Sequence, residues 1–142
     1  MKNPDNNLGF LLHDTARLMR RNFNRDIQDM EITQAQWQIL FNISRNEGIR
    51  QAQLADMLEM QPISIARLVD RMEQAGWIKR LPDPNDRRAV NLFLEKKAED
   101  LVDSLRARAA GTREKSLKGI SQPEQAQLTD ILQRMRDNLA AG

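Results

Sequence analysis

At Gly76-Trp77 the apolar residues change period, and this switch constrains the fold more than any other feature of the chain. Before it, Ile65, Leu68, Val69 and Met72 recur at the i, i+3, i+4, i+7 spacing of one face of an α-helix. After it, Trp77-Ile78-Lys79-Arg80-Leu81 and Ala89-Val90-Asn91-Leu92-Phe93-Leu94 take on the alternation of a β-hairpin. Pro62 opens the helix at its first turn, where a missing N–H costs nothing, and Gly76 closes it. A shorter helical segment, Gln51–Leu58, precedes it and offers Leu54, Ala55 and Leu58 to a core. Two such helices joined by a few residues and followed at once by a hairpin outline a helix-turn-helix with a wing. The joint, Glu59-Met60-Gln61, lacks the glycine often found there. Between the strands, Pro82-Asp83-Pro84-Asn85-Asp86-Arg87-Arg88 is dense in turn residues and is expected to project as a basic loop.

Longer helices flank this unit. The first runs from about Leu8 to Met30 with Leu8, Leu12, Ala16, Met19, Phe23 and Ile27 in register, while Leu11 and Leu18 widen its apolar face. Thr33 and Gln36 form a capping-box pair ahead of Trp37, Leu40 and Phe41, and Gly48 ends that second helix. Beyond Lys96, Ala98, Leu101, Val102, Leu105 and Ala109 share a face, with Gly111 expected to loosen the helix midway. Ser121 and Glu124 box the last helix, which repeats Leu128, Ile131, Leu132, Met135 and Leu139. The terminal helices offer more apolar surface than the small central unit can cover, so part of it is expected to lie against a second subunit. The fold class is therefore mainly α with a small β-hairpin wing. Residues 33–95 form the winged helix-turn-helix, and residues 1–32 and 96–142 a helical dimerisation region.

Composition narrows the function. The chain has no cysteine and one histidine, which leaves no thiolate metal site, no disulfide and no nucleophile–base pair. Nor is there a glycine-rich phosphate loop, so neither an enzyme nor a cofactor or metal is expected. No stretch approaches a membrane span, and the polar start Met1–Asn7 does not resemble a signal peptide, which points to the cytoplasm. The net charge of +2 is small, but its distribution is not even. Residues 1–49 carry six basic and six acidic side chains, residues 98–142 seven and seven, and residues 50–97 nine against seven. The whole surplus falls on the winged unit.

Reading duplex DNA requires donors that reach base edges from a helix that fits the major groove. Arg67 supplies a forked donor suited to guanine, Ser64 lies one turn earlier on the same face, and Gln61 stands at the helix start, where N–H groups also favour phosphate. Arg71, one turn further on, is placed for the DNA backbone. A polar helix face alone is ordinary solvated surface; the basic hairpin beside it makes it a reading surface. There, Arg87 or Arg88 can enter the minor groove, with Asp86 as an acceptor that orients it. Lys79 and Arg80 can add phosphate contacts, and Arg80 can equally pair with Asp86 across the hairpin base.

The run Ser64-Ile65-Ala66-Arg67-Leu68-Val69-Asp70-Arg71-Met72-Glu73-Gln74-Ala75-Gly76-Trp77-Ile78-Lys79-Arg80, followed by Asp83-Pro84-Asn85-Asp86-Arg87-Arg88-Ala89, resembles the recognition helix and wing of the multiple antibiotic resistance regulator (MarR) family, its SlyA-like branch above all. The order of elements resembles that family over nearly the whole chain. The resemblance implies a homodimer held by the first and last helices that binds pseudo-palindromic operators and usually represses. It implies groove contacts from Ser64, Arg67 and Arg88, with Asp86 in support. Leu94-Glu95 departs from the family's Leu-Thr, and glutamate is the poorer cap for the helix that begins near Lys96. Ala98 also stands where the family has glycine. Members often respond to phenolic or aromatic carboxylate ligands; here His13 and Arg17, one turn apart, could meet such an anion, and Trp37 could form an aromatic wall. A competing function is a winged helix that serves as a protein-interaction module, which would not need paired donors on both helix and wing.

Overall fold

Among the described residues, three of the six α-helices begin where a short polar side chain satisfies a first free N–H group. Thr33 Oγ1 accepts from the Gln36 N–H at 3.2 Å while Gln36 Oε1 accepts from the Thr33 N–H at 3.0 Å. Ser121 and Glu124 repeat this reciprocal pair at 3.3 and 2.9 Å. In the computed structural model, which describes residues 7–142, the chain runs α1 (Leu8–Asp26), a 3₁₀ turn (Gln28–Met30), α2 (Gln34–Arg45), β1 (Ile49–Arg50), α3 (Gln51–Met57), α4 (Pro62–Gln74), β2 (Ile78–Asp83), β3 (Asp86–Leu94), α5 (Lys96–Ser116) and α6 (Gln122–Ala141). The polar start at residues 1–6, and with it the first part of the 1–32 segment, lies outside the described residues.

Helix α4 ends as its glycine requires. Gly76 takes φ +81°, and the N–H groups of Gly76 and Trp77 donate back to Glu73 and Met72 at 3.0 and 2.9 Å, a Schellman closure. The joint after α3 closes in the same way without a glycine. Glu59 itself adopts φ +52°, and Met60 N–H reaches Ala55 O at 3.0 Å. The left-handed conformation costs roughly 1 kcal/mol for a residue with a Cβ, and the buried Leu54 and Ala55 on one side with Ile65 on the other offset it.

Four local features differ from the sequence expectation. The first helix stops at Asp26 rather than near Met30, because a 3₁₀ turn and Glu31 at φ +53° reverse the chain once Ile27 is buried. Helix α5 is not loosened at Gly111. Thr112 Oγ1 donates to Asp26 at 3.1 Å and Lys115 Nζ to Asn22 at 2.8 Å, tying that turn to α1. The hairpin is longer and tighter than a seven-residue loop allows: only Pro84 and Asn85 separate the strands. Finally, the hairpin belongs to a three-stranded antiparallel sheet of order β1-β3-β2, in which Ile49 and Arg50 pair with Leu92 and Asn91. Gly48, at φ +88° beneath the Phe93 ring, lets that short strand dock.

One core joins these elements. Ile39, Leu40 and Ile43 of α2, Leu54 of α3, Ile65 and Val69 of α4, Leu92 of β3 and Ala98 and Leu105 of α5 are all fully buried. Phe23 of α1 and Ile27 just after it belong to the same cluster, so the core crosses from the winged unit into the flanking helices. That burial also explains why α5 starts at Lys96 although Glu95 makes no side-chain cap bond. The outer turns are different. Leu8, Phe10, Leu11 and Leu18 of α1 remain exposed, and α6 buries none of its side chains. Among the described residues, no helix is long and apolar enough to cross a membrane.

Candidate nucleic-acid interface

Helix α4 turns Ile65, Val69 and Met72 into the core, so Gln61, Ser64, Arg67 and Arg71 fall on its outer side. Gln61 is the N-cap residue, exposed and making no side-chain cap bond; Ser64 is half-buried; Arg67 and Arg71 are exposed. Asp70 follows Arg67 by three residues, a spacing at which a carboxylate would quench it. It is held elsewhere. Arg80, reaching across from β2, engages Asp70 through Nη1, with Glu73 at 3.5 Å. The same guanidinium donates to Ala66 O at 3.1 Å and to Gln51 Oε1 at 3.1 Å, so β2, α4 and α3 meet on one side chain. Arg80 therefore neither faces solvent for a phosphate nor pairs with Asp86, as the sequence had suggested. Its side chain is only 21% exposed.

A second arginine organises the wing. Arg50 Nε donates to Asp83 at 3.2 Å, and its Nη1 lies 4.0 Å from Asp86. Asp83 also accepts the Asn85 N–H at 2.8 Å; that bond first, and the Arg50 charge after it, hold its carboxyl below the usual range. Asp86 Oδ1 accepts the backbone N–H of Arg88 at 2.9 Å. Asp86 thus supports Arg88 through the main chain and leaves its guanidinium unengaged. The ladder adds a further effect. Pro82 pairs with Val90 but Asp83 pairs with Asp86, so Arg87, Arg88 and Ala89 bulge out of register on β3. Bulges re-aim side chains, and this one carries both arginines.

The result is a segregation of charge. Four of the seven acidic side chains in residues 50–97 are drawn to Arg50 and Arg80. Among the described residues, no hydrogen-bond or ion-pair partner engages the side chains of Arg67, Arg71, Lys79, Arg87 or Arg88. The structuring roles of Arg50, Asp83 and Asp70 were missed from the sequence, since their partners lie 33 and 10 residues away.

The three residues considered for a small ligand are not brought together within the chain. His13 and Arg17 lie on the exposed side of α1, Arg17 within 3.8 Å of Asp14. Trp37 is buried, its Nε1 donating to Asn24 Oδ1 at 2.7 Å and its ring meeting Phe23 edge-on at 4.9 Å. It lines a small apolar cavity with Met19, Phe41 and Thr112, and the cation there is Arg20.

The sequence profile of the MarR family matches residues 32–90, from just before α2 to the middle of β3. YybA, an HTH-type transcriptional regulator of Bacillus subtilis (strain 168), is 29% identical over 124 residues, 87% of this chain and 83% of its own length. The crystal structure of the transcriptional regulator PA3341 matches with a TM-score of 0.82 at 33% identity, covering 96% of this chain and 100% of that one. Mutant MarR from E. coli, crystallised with operator DNA, matches with a TM-score of 0.74 at 25% identity over 94% of this chain and 99% of that one.

Proposed function

This chain belongs to the MarR family and is a transcriptional regulator; from that premise we propose that it acts as a homodimer that represses transcription from pseudo-palindromic operators. The observation that carries the DNA-reading part is the segregation of charge. Among the described residues, Arg67 and Arg71 on α4 and Arg87 and Arg88 on the bulged strand have no carboxylate partner, whereas Asp70, Glu73, Asp83 and Asp86 are engaged by Arg80 and Arg50. A forked donor on an exposed helix face suits guanine O6 and N7, and arginines at a wing tip suit a minor groove. A protein-interaction module would gain nothing from keeping these cations apart from their acidic neighbours. The DNA complex of the E. coli relative favours the same reading.

The dimer part rests on α6, a 20-residue helix with no buried side chain, and on the exposed leucines of α1. Two copies joined there would present their α4 helices to half-sites about 34–36 Å apart, one turn of DNA. Release by a small aromatic or phenolic ligand is the finest part of the proposal. It is supported by the cavity of about 180 Å³ beside Trp37, Phe41 and Arg20, which lies between α1, α2 and α5. Such a ligand acts only if it binds the DNA-incompetent spacing more tightly than the competent one.

The test is site selection from a randomised duplex pool followed by binding measurements. Arg67→Ala is expected to cost about 1–3 kcal/mol and relax the preference at one base pair, whereas Arg88→Ala weakens binding evenly across sequences. Unchanged affinity and preference in both variants would remove the site assignment.

A further inference from the structure

Three large apolar side chains remain exposed between residues 50 and 95: Met57, Ile63 and Leu81, at 53%, 61% and 42%. Single exposed apolar residues are ordinary on protein surfaces, so exposure alone assigns nothing. The position of Ile63 sets it apart. It is the second residue of α4 and precedes Arg67 by four, so the two share a helix face one turn apart. The core-facing side of α4 is already complete with Ile65, Val69 and Met72, and Ile63 takes no part in it. Its branched side chain instead stands at the N-terminal end of the helix, among the residues that reach base edges when such a helix enters the major groove.

An isoleucine there can do one thing that its neighbours cannot. It has no donor for phosphate, and the apolar group on the major-groove edge of a base pair is the 5-methyl of thymine. We propose that Ile63 is a specificity-determining residue that packs against a thymine methyl beside the guanine read by Arg67. This rests on the DNA-reading function proposed above. Four helical residues advance about 6 Å and successive bases are about 3.4 Å apart, so the thymine lies one to two base pairs from that guanine. Arg67 would then supply the polar half of the recognition and Ile63 the apolar half.

The experiment replaces thymidine by deoxyuridine, one position at a time, in a duplex selected by the unaltered protein; the substitution removes the methyl and nothing else. At one position per half-site the unaltered protein is expected to lose about fourfold in affinity, the equivalent of one buried methyl. Ile63→Ala should bind the thymidine duplex correspondingly more weakly and be indifferent to deoxyuridine at that position. Ile63→Val should keep most of the methyl dependence. The salt dependence of all three should coincide, because no phosphate contact is altered. Since Ile63 is exposed, all should melt together. The proposal is overturned if Ile63→Ala keeps the full methyl dependence, or if the unaltered protein shows none while Arg67→Ala still relaxes the guanine; in either case the DNA-reading function stands. Failure of the unaltered protein to select any sequence would overturn both.

Discussion

Replacing Arg80 with alanine should lower both stability and DNA affinity, by separable routes. The Arg80 side chain is 21% exposed, and its partners Asp70 and Glu73 are 56% and 43% exposed. Each ion pair is therefore solvent-screened and contributes at most about 1 kcal/mol. The bonds to Ala66 O and Gln51 Oε1 are part-buried and charge-assisted, and together contribute about 1–2 kcal/mol. The freed carboxylates can rehydrate, so the 3–5 kcal/mol expected for a stranded buried charge does not apply. A total near 2 kcal/mol follows, or about 6 °C in melting temperature for a chain of this size, read at fixed protein concentration. Lysine should recover only part of it, since an ammonium cannot span three elements as a fork does. The affinity loss has a different origin: Asp70, released, is free to quench Arg67 three residues away. The double variant Arg80→Ala/Asp70→Ala should therefore regain DNA affinity without regaining stability. Arg67→Ala supplies the opposite control, with weak DNA binding and a melting temperature within a degree or two of the unaltered protein. If Arg80→Ala melts as the unaltered protein does, or if the double variant recovers no affinity, the hub reasoning is wrong.

Acid should weaken the link between α5 and the 3₁₀ turn that follows α1. Arg108 donates to both oxygens of Asp29 at 2.9 and 2.8 Å and holds that carboxyl below its ordinary value. With the folded pKa below the unfolded one, its stabilising effect is complete above about pH 4 and disappears as pH falls through the folded value. Asp29→Asn should therefore flatten the acid limb of a denaturation series below about pH 4 and leave the neutral limb parallel; an unchanged acid limb would count against it. On α6, Ile131→Glu should place a charge in the face proposed to join two copies. The unaltered protein should sediment as a dimer at micromolar concentration and the variant as a monomer, and a monomeric unaltered protein would contradict the dimer proposal.

What the sequence disclosed was what short-range chemistry decides. Thr33 with Gln36, Ser121 with Glu124, and Pro62 with Gly76 each fix a helix end through partners three residues away or through their own dihedral preferences, and all stand where the sequence put them. The outer face of α4 was legible for the same reason, since one periodicity sorts Ile65, Val69 and Met72 from Ser64, Arg67 and Arg71. Features decided by distant contacts were not legible. Nothing near Arg80 shows that Gln51 and Ala66 will accept from it, and nothing near Arg50 points to Asp83. Strand β1 is two residues long, too short for any alternation to declare it. The out-of-register stretch at Arg87-Arg88-Ala89 depends on where β2 pairs, so the basic segment was readable as a loop but not as a bulged strand.

If the unpaired cations on α4 and the wing form a DNA-reading surface, duplex binding must depend steeply on salt. The dissociation constant on a mixed-sequence duplex would be followed from about 50 to 200 mM salt for the unaltered protein and for Arg88→Ala. Log affinity should fall steeply and linearly with log salt. The slope should be shallower by about one unit in Arg88→Ala, because a guanidinium in the minor groove displaces a counterion as a phosphate contact does. Absence of binding at about 50 mM salt, or a slope that Arg88→Ala leaves untouched, would contradict a DNA-reading role for these cations.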